Sequence, residues 1–203
     1  QQVIFGTYKA KYGQGLVLQT GFNNYKSQFL NNGMTFTKQK VKGINSNEES
    51  SYMKGAAFSL KYLKFRMNAF VSSNKVDATV YEDSLGAFFS SLNNSGLHWT
   101  ELELSKKDVV TVKDFGWSLS YVGHDFNMSL NQVYSNFDLP FKQEENYFSH
   151  EYLNGRNFHV QSIDFNYLWR NIHVFGEIAV DKTFDVALIS GATGTINELI
   201  NYG

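Results

Sequence analysis

The residues with the most chemical potential in this chain are its five histidines, His98, His124, His150, His159 and His173, and the carboxylates near them. The stretch SGLHWTELELSKKD, residues 95–108, places His98 close to Glu101 and Glu103. A histidine beside carboxylates suits general-base or metal-binding work. Neither a second histidine nor a nucleophile stands at useful spacing, so a structural loop is the expectation here. Thr100 and Glu103 have capping-box spacing for a short helix. His98 and Glu103 then hydrogen-bond to interior groups while Trp99 packs. His124 falls in a turn, and His173, on the same face as Glu177, reads as a hydrogen-bonding residue rather than a ligand. The pair Gly13-x-Gly15 resembles half of a dinucleotide fingerprint without its third glycine or following helix, which points to strand kinking or close packing. The chain contains no cysteine, which removes thiolate nucleophiles, disulfides and Cys-based zinc sites. The sequence therefore predicts no catalytic, cofactor or metal site, and no enzyme.

The elements that carry these residues are strands. Aromatic residues make up 16% of the chain, with 18 Phe and 12 Tyr, and Pro140 is the single proline. That mixture favours β-structure over disorder. The formal net charge of −1 provides no general field for nucleic acid or an anionic surface, so any electrostatic role has to be local. No run approaches the ~18 apolar residues of a transmembrane helix, but barrel strands of ~9–11 residues escape that test.

Period-two alternation recurs throughout. Tyr8, Ala10 and Tyr12 oppose Lys9 and Lys11; Phe58 and Leu60 oppose Ser59 and Lys61; Phe65 and Met67 oppose Arg66 and Asn68. In GWSLSYVGHDFNMSLNQV, residues 116–133, the phase jumps across Gly123-His124-Asp125. Similar jumps fall at Leu63-Lys64 and Trp169-Arg170-Asn171. A tight hairpin turn restores the apolar face in just this way. Weaker strands are expected over Met34–Lys42, Gln132–Phe137 and Phe184–Thr193. The fold class predicted is all-β, an antiparallel up-and-down meander of about eight to ten strands, forming an outer-membrane β-barrel or part of one. Residues 1–203 read as one barrel segment, incomplete at both ends. Long loops are expected at 77–108, with the short helix, and at 138–157.

Three features favour lipid over protein against the apolar face. The polar face is rich in small residues and amides rather than a Lys/Glu mixture, the strands are long, and long loops lie opposite short turns. Tyr62, Phe65, Tyr121, Phe126 and Tyr167 flank the tight turns and would form an aromatic girdle. The opposite face would line a lumen with Lys9, Lys11, Lys61, Arg66, Ser118, Ser120, Asn127, Ser129, Asp164, His173 and Glu177. There, opposite charges would pair across the interior or bias which solute passes.

Four ordered stretches, YKAKYGQGLVLQTGF (8–22), GAAFSLKYLKFRMNAFVSSNKVDATV (55–80), SGLHWTELELSKKD (95–108) and VFGEIAVD with ALISGATG (174–194), add a family likeness. Together they resemble Bacteroidota outer-membrane β-barrel proteins that carry N-terminal helix-hairpin-helix repeats and a competence-like label. The motif residues are Tyr8, Tyr12, Gly13, Gln14, Gly15 and Leu16; Ala69, Phe70 and Ser72 with Asp77-Ala78; Gly96, Leu97, His98 and Thr100; and Phe175, Gly176 and Glu177. The resemblance implies the outer membrane, a lipid bilayer as partner, and transport, pore formation or surface anchoring of an unknown solute or polymer. Any link to DNA uptake comes from the family label alone. The rival expectation is a soluble extracellular β-sheet module that binds polysaccharide. An enzyme in the loops would need a Ser-His motif that the sequence lacks.

Overall fold

The computed structural model of the 203-residue chain describes residues 1–20, 40–44, 52–84, 86–93, 98–142 and 154–194. Over these residues the protein is all-β apart from one five-residue helix. The strands are β1 (Gln2–Tyr12), β2 (Leu18–Gln19), β3 (Lys40–Gly43), β4 (Met53–Tyr62), β5 (Phe65–Asp83), β6 (Gly86–Asn93), β7 (Val110–Val122), β8 (Phe126–Lys142), β9 (Asn154–Trp169), β10 (Ile172–Asp181) and β11 (Val186–Gly194); α1 is Glu101–Ser105. They form one sheet, in which β4, β5, β7, β8, β9, β10 and β11 follow one another as antiparallel neighbours. β1 flanks β4 through residues 2–8 and pairs with β3 and β2 farther along.

The three tight turns lie where the phase jumps place them. Tyr62 pairs with Phe65, Gly123 N–H donates to the Phe126 carbonyl at 2.9 Å, and Trp169 pairs with Ile172, leaving a turn of Arg170-Asn171. Leu63 and Arg170 take φ of 53° and 54°, a left-handed conformation that a two-residue hairpin imposes and that costs a non-glycine residue some strain.

Two expected loops are shorter than the sequence suggests. β5 continues to Asp83 and returns as β6, so most of residues 77–93 is hairpin rather than loop. β8 likewise runs on to Lys142, and residues 143–153 lie outside the described part. The cause is apolar burial. Ala78, Phe89 and Val110 are fully buried, with Val76, Val80, Phe137 and Phe141 packed on them. β6 touches β8 through a parallel bridge, Phe89 to Phe141, so that β5, β6, β8 and β7 close into a small four-strand ring around this core. The expected strand at 34–42 begins at Lys40 in the described residues; the stretch before it lies outside them.

Candidate functional site

In the body of the sheet the usual order of inside and outside is reversed. Pairing registers line up Arg66, Ser120, Ser129, Asp164 and Glu177 in one cross-strand row, and Asn68, Ser118, Asn131, Ser162 and Ala179 in the next. All are buried except Arg66, which is half-buried. On the opposite face Leu60, Met67, Leu119, Leu130, Ile163, Ile178 and Leu188 form an unbroken aliphatic row across seven strands. Six of these seven are exposed, from Ile163 at 41% to Leu188 at 72%.

The buried row is a connected hydrogen-bond network. Asn131 Nδ2 donates to Asp164 Oδ2 at 2.7 Å and to Ser162 Oγ at 3.1 Å, and Ser162 Oγ donates to Glu177 Oε1 at 2.7 Å. Asp164 and Glu177 are direct cross-strand partners, an arrangement of like charges that destabilises a sheet unless donors offset it. The missing donors come from the start of the chain. The N–H groups of Gln14 and Leu16 donate to Glu177 Oε2 at 2.7 and 3.1 Å, and the Gln14 amide donates to Asn166 Oδ1 at 3.2 Å. Hydrogen bonds to a charged group contribute about 1.5–3 kcal/mol each. Gly13 and Gly15 have φ of 57° and 104°, which turns both N–H groups toward one point, as in an anion-binding nest.

The second half of β1 thus lies across the inner face. The Tyr8 hydroxyl donates to the Val71 carbonyl at 2.9 Å, the Tyr12 ring sits 5.8 Å from Phe70, and Tyr8, Ala10 and Tyr12 are buried with Phe70 and Val133. Tyr8, Ala10 and Tyr12 pack against the wall, and Lys9 and Lys11 lie half-buried on the face of the strand turned away from it. Alternation separates two faces; it does not say which one packs on the wall. Ser118, Ser120, Ser129, Asp164 and Glu177 occupy the interior. Asn127 and His173 share that face, with the His173 ring stacked on Phe175, while Lys61 is exposed at the rim beside Arg66.

The aromatic set behaves as a unit. Tyr62, Phe65, Tyr121, Phe126 and Tyr167 are all exposed at the turn end. Phe65 and Tyr121 stack edge to face at 5.7 Å, and Phe126 and Tyr167 at 6.4 Å. At the opposite end Thr100 and Glu103 form the expected capping box on α1. His98 Nε2 bonds Asp77 Oδ2 at 2.8 Å, and Asp77 Oδ1 accepts the Asp108 N–H, tying the loop to β5. Two details differ from the sequence reading. Glu103 bonds the N–H groups of Trp99 and Thr100 rather than an interior group, and Trp99 is 87% exposed rather than packed. A helix of five residues has too little apolar surface to seat that ring. Among the described residues no group of His, Asp and Glu is placed to hold a metal ion.

Sequence reasoning missed the partnership between the Gly13–Leu16 turn and Glu177, which spans more than 160 residues of chain. No protein-family model, no curated protein and no solved structure matches this chain.

Proposed function

We propose that the protein is a segment of outer-membrane β-barrel wall, with its aliphatic face against lipid and its polar face toward a lumen, serving passage or anchoring at the cell surface. The observation that carries this reading is the reversed burial. Ser118, Asn131, Asp164 and Glu177 are at most 2% exposed while Met67, Leu119, Leu130, Ile163 and Ile178 exceed 40%. The exposed aliphatic row crosses from β5 to β11 without a break, whereas soluble monomers rarely expose large contiguous apolar patches. The apolar belt runs from Phe65 to Val71 on β5, roughly 20 Å along the strand at ~3.3 Å per residue. Polar residues follow above it, and the aromatic row lies at its lower edge, as an interfacial girdle would.

Lipid around the belt sets one further condition. Unpaired backbone groups are costly in hydrocarbon, and β11 is paired along one edge, to β10, among the described residues. Its other edge therefore takes a strand from the rest of a wall or from a second copy.

The test is refolding of purified protein with and without lipid vesicles. Incorporation into vesicles, with β4–β11 protected from protease, is the expected result. A monodisperse monomer in detergent-free buffer overturns the reading. Such a monomer would favour a soluble polysaccharide-binding module instead, for which the exposed Trp99 ring at the loop end is the supporting observation.

A further inference from the structure

Glu177 is the most deeply placed charge of the wall, 1% exposed, and its donors come from opposite directions. Ser162 belongs to the wall itself; Gln14 N–H and Leu16 N–H belong to a turn laid over it. The fit leaves no slack. A Cβ added to Gly13 would sit 2.4 Å from Glu177 Oε1, and Gly13 has a φ of 57° that side chains rarely adopt. Lys11 adds an electrostatic attraction to the same carboxylate. Beside the turn, a cleft of about 670 Å³ opens between Leu16 and Val160, Ala179 and Ala187.

We propose that the Gly13–Leu16 turn is a plug, latched by the Glu177 carboxylate, that closes the interior of this sheet, and that breaking the latch opens the polar wall to solvent and solute. The plug role rests on the wall reading above. The latch does not, because it concerns which inner-face residues water reaches. Only this turn's glycines let two N–H groups converge on one carboxylate while the backbone passes within van der Waals distance of it. The removable part is small: three hydrogen bonds hold the turn to Glu177 and Asn166, whereas Tyr8 and Tyr12 anchor the strand upstream on Phe70.

The absence of native cysteine makes the test direct. Ala179→Cys places one thiol on the buried inner face, two residues from Glu177 and in the cleft that Leu16 lines, and its labelling by a water-soluble maleimide reports access beneath the turn. With the latch intact, labelling is slow. Glu177→Ala removes the acceptor and is expected to speed labelling at least tenfold. Glu177→Gln keeps one oxygen for the two backbone donors and can donate to Ser162, so it is expected to stay near the starting rate. Glu177→Leu separates the latch from packing, because it keeps most of the volume without an acceptor: labelling as fast as in Glu177→Ala supports the latch, and labelling near the starting rate overturns it. Fast labelling with the latch intact overturns the proposal, and so does unchanged protection in a folded Glu177→Ala protein. Should Glu177→Ala fail to fold by circular dichroism, Gly13→Ala decides: accelerated labelling supports the latch and retained protection overturns it. Release of a small dye from vesicles tests the plug separately. Faster release with Glu177→Ala than without it is expected, and equal release from inserted proteins overturns plugging. Failure to insert counts against the wall reading, while the labelling still decides the latch.

Discussion

Along β5 the inward face carries Asn68 and Ser72 near the tight-turn end and Val76, Ala78 and Val80 toward the other; the outward face carries Met67 and Val71, then Ser73 and Lys75. β7 and β8 repeat the change. Ser118 and Asn131 point inward in the belt, Val110 and Phe137 in the four-strand ring. Register fixes where the exchange happens. The outward row Val71, Phe115, Tyr134 is followed two residues on by Ser73, Lys113, Asn136, and the polar inner rung Ser72, Asp114, Ser135 is followed by Asn74, Val112, Phe137. The outer face changes character within one register step, while the inner face passes from mixed rows, the buried Phe70-Gly116-Val133 rung among them, to an apolar core. The proposed wall reading accounts for this, because a sheet that leaves hydrocarbon for water turns its apolar face outward in one medium and inward in the other. The ring is filled by apolar side chains, whereas the belt combines buried polar rows with the Phe70 and Val133 cluster on which Tyr8 and Tyr12 pack.

The sharpest way to separate the two regions is to damage one and read the other. Phe89 is 1% exposed at the centre of the ring, 5.2 Å from both Phe137 and Phe141. Phe89→Ala is expected to cost the ring about 3–5 kcal/mol, seen as early loss of amide protection in β6 with the belt strands still protected. Simultaneous loss in both would mean that ring and belt are one cooperative unit. The converse change is Leu130→Arg, in the middle of the aliphatic row. In vesicles an arginine at that depth is expected to cost about 2–4 kcal/mol, measured by urea titration of the inserted protein. In water the same side chain would be nearly neutral, so an indifferent vesicle result breaks the comparison.

How much of this was legible follows from the same contrast. The belt was readable because alternation and hairpin turns are local: Ser118 and Ser120 against Leu119 and Tyr121 define faces without any tertiary knowledge. The ring was misread as loop because NKVDATVYED keeps its alternation but mixes charge into it, and the apolar partners that bury Val76 and Ala78 arrive from β6 and β7, not from neighbours in sequence. The doubling back of β1 was invisible for a different reason. Tyr8 and Tyr12 would suit lipid as well as they suit Phe70, and what decides between them is a carboxylate more than 160 residues away. A local trace did exist: two glycines flanking Gln14 are the minimum for a nest, and strand kinking alone would need only one.

The tight turns offer a smaller test at the belt's lower edge. Arg170 holds a φ of 54° at the start of the β9–β10 hairpin, and left-handed backbone costs a non-glycine residue roughly 1 kcal/mol. Arg170→Gly removes that strain but frees the unfolded chain. A net gain of a few tenths of a kcal/mol up to about 1 is expected by urea titration. A clear loss would mean that the side chain itself anchors the turn, for which its guanidinium, 5.8 Å over the Trp169 ring, is the candidate contact.

The weakest effect belongs to the ring side, on α1. N–H donors from Trp99 and Thr100 hold the Glu103 carboxyl below its ordinary range. A depressed folded pKa means that the capping box adds stability above the unfolded carboxyl pKa and loses it as pH falls through the folded value. The window is therefore acidic, beginning near ~4.3 and extending below it. The group is open to solvent, so the change stays local: the Trp99 and Thr100 amide resonances should move with a midpoint below the ordinary glutamate value, and Glu103→Gln should abolish the movement. The belt gives the control. Leu119 pairs with Met67 and Leu130 and has Ser118 and Ser120 as chain neighbours, and a shift of its amide over the same range would place the titration in the wall instead of in α1.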